Sequence, residues 1–297
     1  MIAFCLMSLF GCQDTVTVDD NQISGDWLIP KREIYDGGPG KDGIPALVNP
    51  GFTTAAAVDY LIDDDLVIGI RVGAEVRAYP HPILDWHEIV NDDIDSVSLA
   101  ILYCPLTGSG MAWSRALPNN AITTFGVSGL LYNANLIPYD RATNSNWSQM
   151  RLQCVQGALS GKFAATYPLV ETTWKTWKEM FPETPVIASK TGYSRPYGTY
   201  PYGDYKTDPL LIFPVSNVDT RLPRKERIHG IIVGDKTKVF RIQSFPDDIG
   251  ALHDTFNGID IIVVGSKDKN FVVSYERKLS DGTLLTFTPF KTHCLLS

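Results

Sequence analysis

The chain has 297 residues, of which 44% are apolar and 11% aromatic, and its formal net charge is −7 at pH 7. This composition supplies a substantial hydrophobic core, and the negative charge argues against nucleic acid or an anionic membrane surface as a partner. No apolar run is long enough to span a bilayer. We therefore expect a small polar molecule or a metal ion as the partner, and membrane contact through a lipid anchor only.

The first residues read MIAFCLMSLFGCQD, an apolar run followed by a small residue and a cysteine. This order is similar to a bacterial lipobox, in which the cysteine is acylated after the signal segment is cleaved. We therefore predict a lipoprotein-type signal segment over residues 1–12, lipid attachment at Cys12, and an exported protein that faces the periplasm or the cell exterior. Residues 13–45 are polar and rich in Gly and Asp, and we predict that they form a tether.

Short alternating strands dominate the sequence from about residue 57, which predicts a β-rich α+β fold. Two of them, LVIGIRVG and AEVRAYP, predict a hairpin. Residues 81–91 follow and predict one short helix. Residues 172–181 predict the clearest helix, because Trp174 and Trp177 lie at helical spacing and Pro182 ends the pattern.

The cysteine at position 104 ends an apolar strand and begins the loop CPLTGSG. Pro105 has a fixed φ and needs no N–H partner, so Cys104 is expected at the start of a tight turn. The next backbone N–H groups, that of Thr107 among them, would then point at the sulfur and favour the thiolate. A small buried apolar residue explains the same position. An oxidising compartment would also permit a disulfide between Cys104 and Cys154.

Polar residues recur at every second position after Asp140, and they are Arg141, Thr143, Ser145, Trp147 and Gln149. If this stretch is extended, all five side chains project from one face and are suited to line a cleft. Arg141 is able to hold a carboxylate or a phosphate through two parallel hydrogen bonds. An internal ion pair between Asp140 and Arg141 explains these two residues equally well.

Parts of the sequence occur twice. Residues 68–73 (IGIRVG) match 229–234 (HGIIVG), and residues 87–91 (HEIVN) match 253–257 (HDTFN). A single register with small gaps aligns these pairs, which indicates an internal duplication. We predict two tandem pseudo-symmetric β-rich halves, barrel-like or sandwich-like, of which the second is shortened.

The second half differs where chemistry is expected, because GSKD at 265–268 replaces the Cys104 loop and carries no thiol. It keeps the His, acid and Asn spacing, so His87 is also explained by a structural role in a turn. We assign residues 46–205 to a first repeat with the site motifs. Residues 206–297 form a degenerate second repeat that is either naturally short or truncated.

Five stretches of the sequence carry a family resemblance, and they are RAYP at 77–80, HEIVND at 87–92, YCPLTGS at 103–109, FGVSGLLYN at 125–133 and YDRATNSNWSQ at 139–149. On these motifs the chain resembles the bacterial and archaeal family called domain of unknown function 3179, over about residues 44–290. The resemblance implies an exported or lipoprotein chain, and it implies no particular activity.

A cysteine beside a histidine and an orienting amide or carboxylate is the general form of an activated thiol nucleophile. We therefore predict a thiol-dependent enzyme for acyl or thiol transfer or for hydrolysis. The catalytic candidates are Cys104, His87, Asp140 and Arg141. The ligand-binding candidates are Glu88, Asn91, Thr107, Ser128, Trp147 and Gln149. The alternative is a non-catalytic module that binds a small ligand, or a copper or zinc ion through Cys104 and His87. Residues 193–205, rich in Tyr, Pro and Gly, form either a lid or a covering loop.

Overall fold

A computed structural model describes residues 25–289 of the chain. The predicted signal segment 1–12 and its lipid-attachment residue Cys12 lie outside the described residues. Within the described part, no helix combines the length and the apolar character that crossing a membrane requires.

The described part contains twenty strands and two α-helices. The strands are β1 (Ile34–Asp36), β2 (Leu47–Val48), β3 (Phe52–Thr54), β4 (Leu66–Val72), β5 (Glu75–Pro80), β6 (Ile89–Ile94), β7 (Val97–Cys104), β8 (Ser109–Ser114), β9 (Phe125–Tyr132), β10 (Asn135–Asp140), β11 (Asn146–Ser148), β12 (Gln153–Gln156), β13 (Thr166–Tyr167), β14 (Val170–Thr173), β15 (Pro185–Ile187), β16 (Ile228–Val233), β17 (Lys236–Arg241), β18 (Gly250–Phe256), β19 (Ile259–Ser266) and β20 (Phe271–Glu276). The helices are α1 (His81–His87) and α2 (Trp174–Met180), and single turns of 3-10 helix lie at Lys31–Glu33, Gly203–Lys206 and Ile242–Ser244.

Fifteen of these strands form three five-stranded sheets. The strand orders are β1-β9-β10-β11-β12 in sheet 1, β13-β8-β7-β6-β2 in sheet 2 and β14-β4-β5-β15-β3 in sheet 3. The remaining strands form the hairpin β16-β17 and the antiparallel meander β18-β19-β20. The predicted β-rich class is confirmed. Among residues 25–289 no sheet closes into a barrel, so the sandwich-like alternative describes the architecture.

Sheet 2 contributes to two hydrophobic cores because successive side chains of a strand point to opposite faces. On one face of β7, Leu99, Ile101 and Tyr103 pack in a core with residues of sheet 3 and α1. On the other face, Ala100, Leu102 and Cys104 pack in a core with residues of sheet 1. Cys104 therefore points toward sheet 1, and its neighbour Tyr103 points toward sheet 3.

The predicted hairpin of β4 and β5 is confirmed, and Gly73 adopts φ +57° in its turn. Helix α1 begins after Pro80 and ends at His87, so the predicted helix over residues 81–91 is too long. Residues 89–94 instead form β6, which pairs antiparallel with β7. The reason is that consecutive residues of this run are buried on both faces of the sheet, which a single apolar helix stripe does not allow.

The predicted helix over residues 172–181 is confirmed as α2. Thr173 precedes the helix, and its hydroxyl accepts a backbone N–H of the first turn. Trp174 and Trp177 are each 1% exposed and form the buried stripe of the helix. The Trp177 indole lies on Gly69 of β4 with no room for a Cβ atom there, so the helix packs directly on the sheet backbone.

The predicted tether over residues 13–45 is wrong for residues 25–45. Strand β1 pairs antiparallel with β9 at the edge of sheet 1. Ile29 and Ile34 are each 3% exposed, so this segment contributes to a core. Its glycine-rich part also bonds to β9, where the Asp42 N–H donates to the Val127 carbonyl at 2.8 Å. The two isoleucines bury enough apolar surface to attach a segment that is otherwise polar.

The two predicted repeats share the same order of elements. Strands β4 to β8 run as hairpin, short helix and meander, and residues 228–276 run in the same order with a 3-10 turn in place of α1. Arg115 and Arg277 follow the two meanders, and each donates its Nε–H to a carbonyl eight residues further along, of Thr123 and Leu285. These matched bonds support the internal duplication, which stays a prediction.

Candidate functional site

The sulfur of Cys104 lies at the end of β7 and is buried, with the residue only 1% exposed. Its thiol donates a weak hydrogen bond to the Ala134 carbonyl at 3.7 Å. Cys154 is also a free thiol, so the alternative of a disulfide between the two cysteines is not formed. Thr107, three residues after Cys104, is exposed, so a single turn of the chain connects the buried thiol to the protein surface.

The environment of Cys104 stabilises the thiol rather than the thiolate. Burial, and to a smaller extent the nearby Glu88 carboxyl, raise the pKa of Cys104 to about 11. The hydroxyl and backbone N–H of Thr107 and the backbone N–H of Leu136 act in the opposite direction, since they donate to the sulfur. The expected N–H contact from the turn is thus present. The expected thiolate is wrong for this closed arrangement, because burial outweighs the hydrogen bonds.

Glu88 is the carboxyl that lies beside this thiol. It follows α1 and has φ +56° and ψ −34°, a conformation that costs a non-glycine residue about 1–3 kcal/mol. Its side chain is 6% exposed, and burial raises its pKa to about 8, which a hydrogen bond from Tyr202 only partly offsets. It has no salt bridge within the described residues, so a protonated form dominates at neutral pH.

Residues 193–206, here called the tyrosine segment, cover this pair. The Tyr200 hydroxyl donates to the Pro105 carbonyl at 3.0 Å, immediately after Cys104. Tyr202 bonds to Glu88, and Tyr205 is buried in the same core as Cys104. Lys206 ends the segment and donates to Asp85 Oδ2 at 3.3 Å. In this structure the segment is therefore a cover held by side chains over the thiol.

Three titratable residues lie on helix α1 or directly after it, and two of them, Asp85 and Glu88, bond to the tyrosine segment. His81, Asp85 and Glu88 are four and then three residues apart, the spacing that places side chains on one helix face. His81 Nε2 and Asp85 Oδ1 are buried without a hydrogen-bond partner in the part of the chain described. His81 packs on the Tyr103 ring at 4.2 Å and lies 3.7 Å from Glu171 Oε2.

Glu171 of β14 lies next to His81, the first of these three residues. Burial raises its pKa, but the charges of His81 and Arg227 outweigh burial and lower the pKa to about 2. The Arg227 guanidinium bonds directly to Glu171, so a residue just before β16 attaches to sheet 3. This group thus contains two carboxyls whose pKa is raised by burial, Asp85 and Glu88, and one whose pKa is lowered, Glu171.

A second group of polar side chains surrounds the Cys104 turn and consists of Thr107, Ser109, Asn135 and Gln149. The Asn135 amide donates to Gln149 Oε1 at 2.8 Å, and Gln149 donates in turn to the Leu102 and Ser109 carbonyls. These bonds fix the turn against β10. Of the predicted ligand-binding residues, Glu88, Thr107 and Gln149 therefore lie around the cysteine.

His87 faces a different set of partners. A carbonyl only accepts, so Nδ1 carries the proton and donates to the Pro45 carbonyl at 2.7 Å. Nε2 then accepts from the Tyr197 hydroxyl at 2.6 Å. Burial lowers the pKa of His87, which keeps the ring neutral in these bonds. Both ring nitrogens are therefore occupied, and the ring connects the tyrosine segment to residues 44–46.

The other predicted catalytic residues, Asp140 and Arg141, serve a turn rather than the Cys104 site. The buried Asp140 carboxylate accepts from the Thr143 backbone at 2.7 Å and from the Trp147 indole at 2.9 Å. Arg141 is exposed and pairs with Asp42 at 2.7 Å, so the alternative Asp140–Arg141 ion pair is not formed. The predicted extended row is wrong, because the turn at 141–144 separates these residues before β11 begins.

Of the three remaining ligand-binding candidates, Trp147 donates to Asp140 and packs in the core that contains Cys104, whereas Asn91 and Ser128 satisfy buried backbone. Asn91 donates to the carbonyls of Leu47 and Phe125 and accepts the Phe125 N–H at 2.7 Å. Ser128 donates to the Ile137 carbonyl at 2.5 Å, where the pairing of β9 and β10 shifts register. Both side chains have their hydrogen bonds filled within the fold, which leaves little capacity for a ligand.

The donor set does not assemble a metal centre around Cys104 and His87. Among residues 25–289, no group of three or more His, Cys, Asp or Glu side chains has the geometry to hold a metal ion. His87 would also have to lose a hydrogen bond to bind one. The copper or zinc alternative therefore receives no support from these residues.

The site also contains residues that no sequence motif identified, namely Asp85, Asn135, Tyr200, Tyr202 and Lys206. The row at 81, 85 and 88 was readable from its helical spacing. The tyrosines were visible as a cluster, but nothing in their spacing indicates which buried group they cover. Their partners lie about a hundred residues earlier in the chain and are brought together only by the fold.

These features define a β-rich protein with a buried thiol and carboxyl under a tyrosine cover. The chain belongs to the family described as "Protein of unknown function (DUF3179)", which it matches over residues 41–292. The family resemblance inferred from the motifs is thereby confirmed. No curated protein and no solved structure shows significant similarity to the chain.

Proposed function

We propose that this chain is an exported, lipid-anchored enzyme that uses the Cys104 thiol to transfer or hydrolyse an acyl group. Glu88 takes and returns the proton. One observation carries the enzymatic part, namely a buried carboxyl with a pKa raised to about 8, at a strained backbone position, beside a buried thiol. The export part is supported by the lipobox-like residues 9–12.

A purely structural role explains Glu88 poorly. Burying a carboxyl without a cationic partner costs stability, and an amide or an apolar side chain would avoid that cost. The positive φ of a glutamate adds a further cost where glycine would be relaxed. Costs of this kind are retained mainly at sites where the strained or titrating group is used.

The proposed reaction has two balanced steps. Ionised Glu88 takes the thiol proton, and the Cys104 thiolate attacks the acyl carbonyl carbon while N–H groups of Thr107 and Leu136 stabilise the sulfur. The leaving group departs with the proton from Glu88, and a thioester forms. Water then attacks the thioester with Glu88 as base, which releases the acid and restores the thiol. A second thiol or amine in place of water completes transfer instead.

The tyrosine segment must open before an acyl donor can reach the sulfur. In the closed arrangement Tyr200 and Tyr202 are bonded at the two sides of the thiol, to Pro105 and to Glu88. Opening admits water, so the penalty of burial on the thiolate decreases at the moment when substrate enters. The closed cover keeps the unused thiol protonated.

The test is acylation by p-nitrophenyl acetate, followed by nitrophenolate release and by mass spectrometry of the cysteine peptides. We expect an acetyl adduct on Cys104, none in Cys104→Ser, and a rate in wild type that increases as pH rises through about 8. Glu88→Gln should react slowly and lose this pH dependence.

Cys154→Ser is the matched control, because Cys154 is also buried, bonds to a backbone carbonyl, and has a pKa raised by burial to about 11. It should react as wild type does. Equal acetylation of both cysteines, or no adduct in wild type, would overturn the enzyme proposal in favour of the non-catalytic binding module.

A further inference from the structure

A groove of about 550 Å³ lies next to the tyrosine segment, in a part of the chain that the proposed reaction does not use. Its two walls are residues 206–210, which continue the tyrosine segment, and residues 223–226, which precede β16. The walls meet where the Lys225 ammonium donates to the backbone carbonyls of Tyr205 and Asp208. These bonds attach the two walls of the groove to each other.

The groove carries positive charge in a chain whose net charge is −7. Lys225 bonds to carbonyls, and neither it nor Arg224 forms a salt bridge within residues 25–289. Glu226, which also lines the groove, pairs with Arg241 at 2.9 Å. The Asp208 carboxylate accepts the Leu210 N–H at 2.8 Å, which occupies one of its oxygens. The charged residues that line the groove are therefore three cations, Lys206, Arg224 and Lys225, and two carboxylates, Asp208 and Glu226, an excess of one positive charge. The Asp208 charge also acts on Lys225.

The groove is connected to the thiol site through two neighbouring residues. The Lys225 ammonium lies 3.3 Å from the centre of the Tyr205 ring, and Tyr205 packs in the core that contains Cys104. The Tyr205 hydroxyl is buried, and the Ile212 backbone N–H lies beside it. Lys206 lines the groove and also bonds to Asp85 under the cover. Tyr205 and Lys206 therefore contact both the groove and the thiol site.

We propose that the groove binds an oxyanion, a carboxylate or a phosphate group, at one end of the substrate whose acyl group reaches Cys104. That the anion belongs to a substrate of Cys104 rests on the proposed function. That the groove binds an anion rests on the groove alone. Arg224 is suited to hold such a group through two parallel hydrogen bonds, and Lys225 through a single charge. A bound oxyanion competes with Asp85 for Lys206, which loosens the end of the cover.

The test is calorimetric titration of the folded protein with succinate and, separately, with inorganic phosphate, in wild type and in the double variant Arg224→Gln, Lys225→Gln. We expect the double variant to bind at least one of the two anions about tenfold more weakly than wild type. Comparison of the affinities for succinate and for phosphate shows which oxyanion the groove prefers. Arg221→Gln with Lys236→Gln is the matched control, because both residues are exposed and pair with neighbouring aspartates outside the groove.

Unchanged affinity in the double variant, or an equal loss in the control, would overturn the proposal. Binding is measured without any reaction, so Cys104→Ser protein should bind the anion as wild type does. If the wild-type protein binds an anion but p-nitrophenyl acetate gives no adduct, the enzyme proposal is overturned and the proposal of an anion site in the groove is retained. The melting temperatures of the variants establish that they are folded.

Discussion

The Cys104 thiol and the Ser266 hydroxyl occupy corresponding places in the two meanders. Cys104 ends β7 and Ser266 ends β19, each the middle strand of its meander. Both side chains are buried and donate to a backbone carbonyl, of Ala134 at 3.7 Å and of Asp247 at 2.5 Å. A hydroxyl therefore satisfies the same backbone arrangement as the thiol, while only the thiol has Glu88 beside it.

This relationship predicts that Cys104→Ser folds. We expect a loss of about 1 kcal/mol in the free energy of unfolding, or about 2–4 °C in Tm, because a smaller polar atom replaces sulfur but keeps a carbonyl partner. Cys154→Ser should cost a similar amount, and only Cys104→Ser should lose acylation. A Tm far below that of Cys154→Ser would instead identify Cys104 as a core residue and reject its catalytic role.

Glu88→Gln should stabilise the protein at neutral pH. The folded-state pKa of about 8 lies above the ordinary value of 4.5, so the folded state binds this proton more tightly. The corresponding stability is complete below pH 4.5 and is lost as pH rises through about 8. The amide removes this loss, and we expect a gain of about 3 kcal/mol at pH 7 that vanishes near pH 4.5.

The measurement is chemical denaturation of both proteins between pH 4.5 and pH 8. Glu75→Gln is the control, because Glu75 is exposed at the start of β5 and its replacement should shift nothing. Parallel stability profiles for wild type and Glu88→Gln would contradict the raised pKa.

His87→Ala should act on stability rather than on the reaction. The ring makes two buried hydrogen bonds, and their loss with the cavity that remains should cost about 2–3 kcal/mol. His253→Ala, at the position that the sequence alignment pairs with His87, should cost under about 1 kcal/mol, because His253 is exposed and accepts only the Phe287 N–H. The pH dependence of Cys104 acylation should be unchanged in His87→Ala. A flattened profile would restore His87 as the catalytic base.

Lipid attachment predicts a specific labelling result at the other end of the chain. Expression of the full chain with labelled palmitate should label the protein, and Cys12→Ser should abolish that label because it removes the thiol that is acylated. Cys5→Ser is the matched control and should retain it. Label that is unchanged in Cys12→Ser would remove the anchor from the proposed function.

Local patterns alone determined the β-rich class, the hairpin of β4 and β5, helix α2 and the family. Each of these depends on periodicity or on motifs within short stretches, so no distant contact has to be known. The segment 25–45 and residues 89–94 show the limit. There, apolar residues that look sparse or helical in isolation are buried because another strand lies beside them.

The partner of Cys104 was decided only by the tertiary structure. His87 and Glu88 are adjacent in sequence, yet the positive φ at Glu88 turns the chain so that His87 bonds to Pro45 and Tyr197. Glu88 lies beside the thiol. The pKa values of Cys104 and Glu88 then follow mainly from burial. Tyr200 and Tyr202, about a hundred residues away, bond at this site and contribute to the packing around it. A local sequence pattern does not show which distant residues will pack against a group. Desolvation depends on those packed neighbours and not on the residue itself.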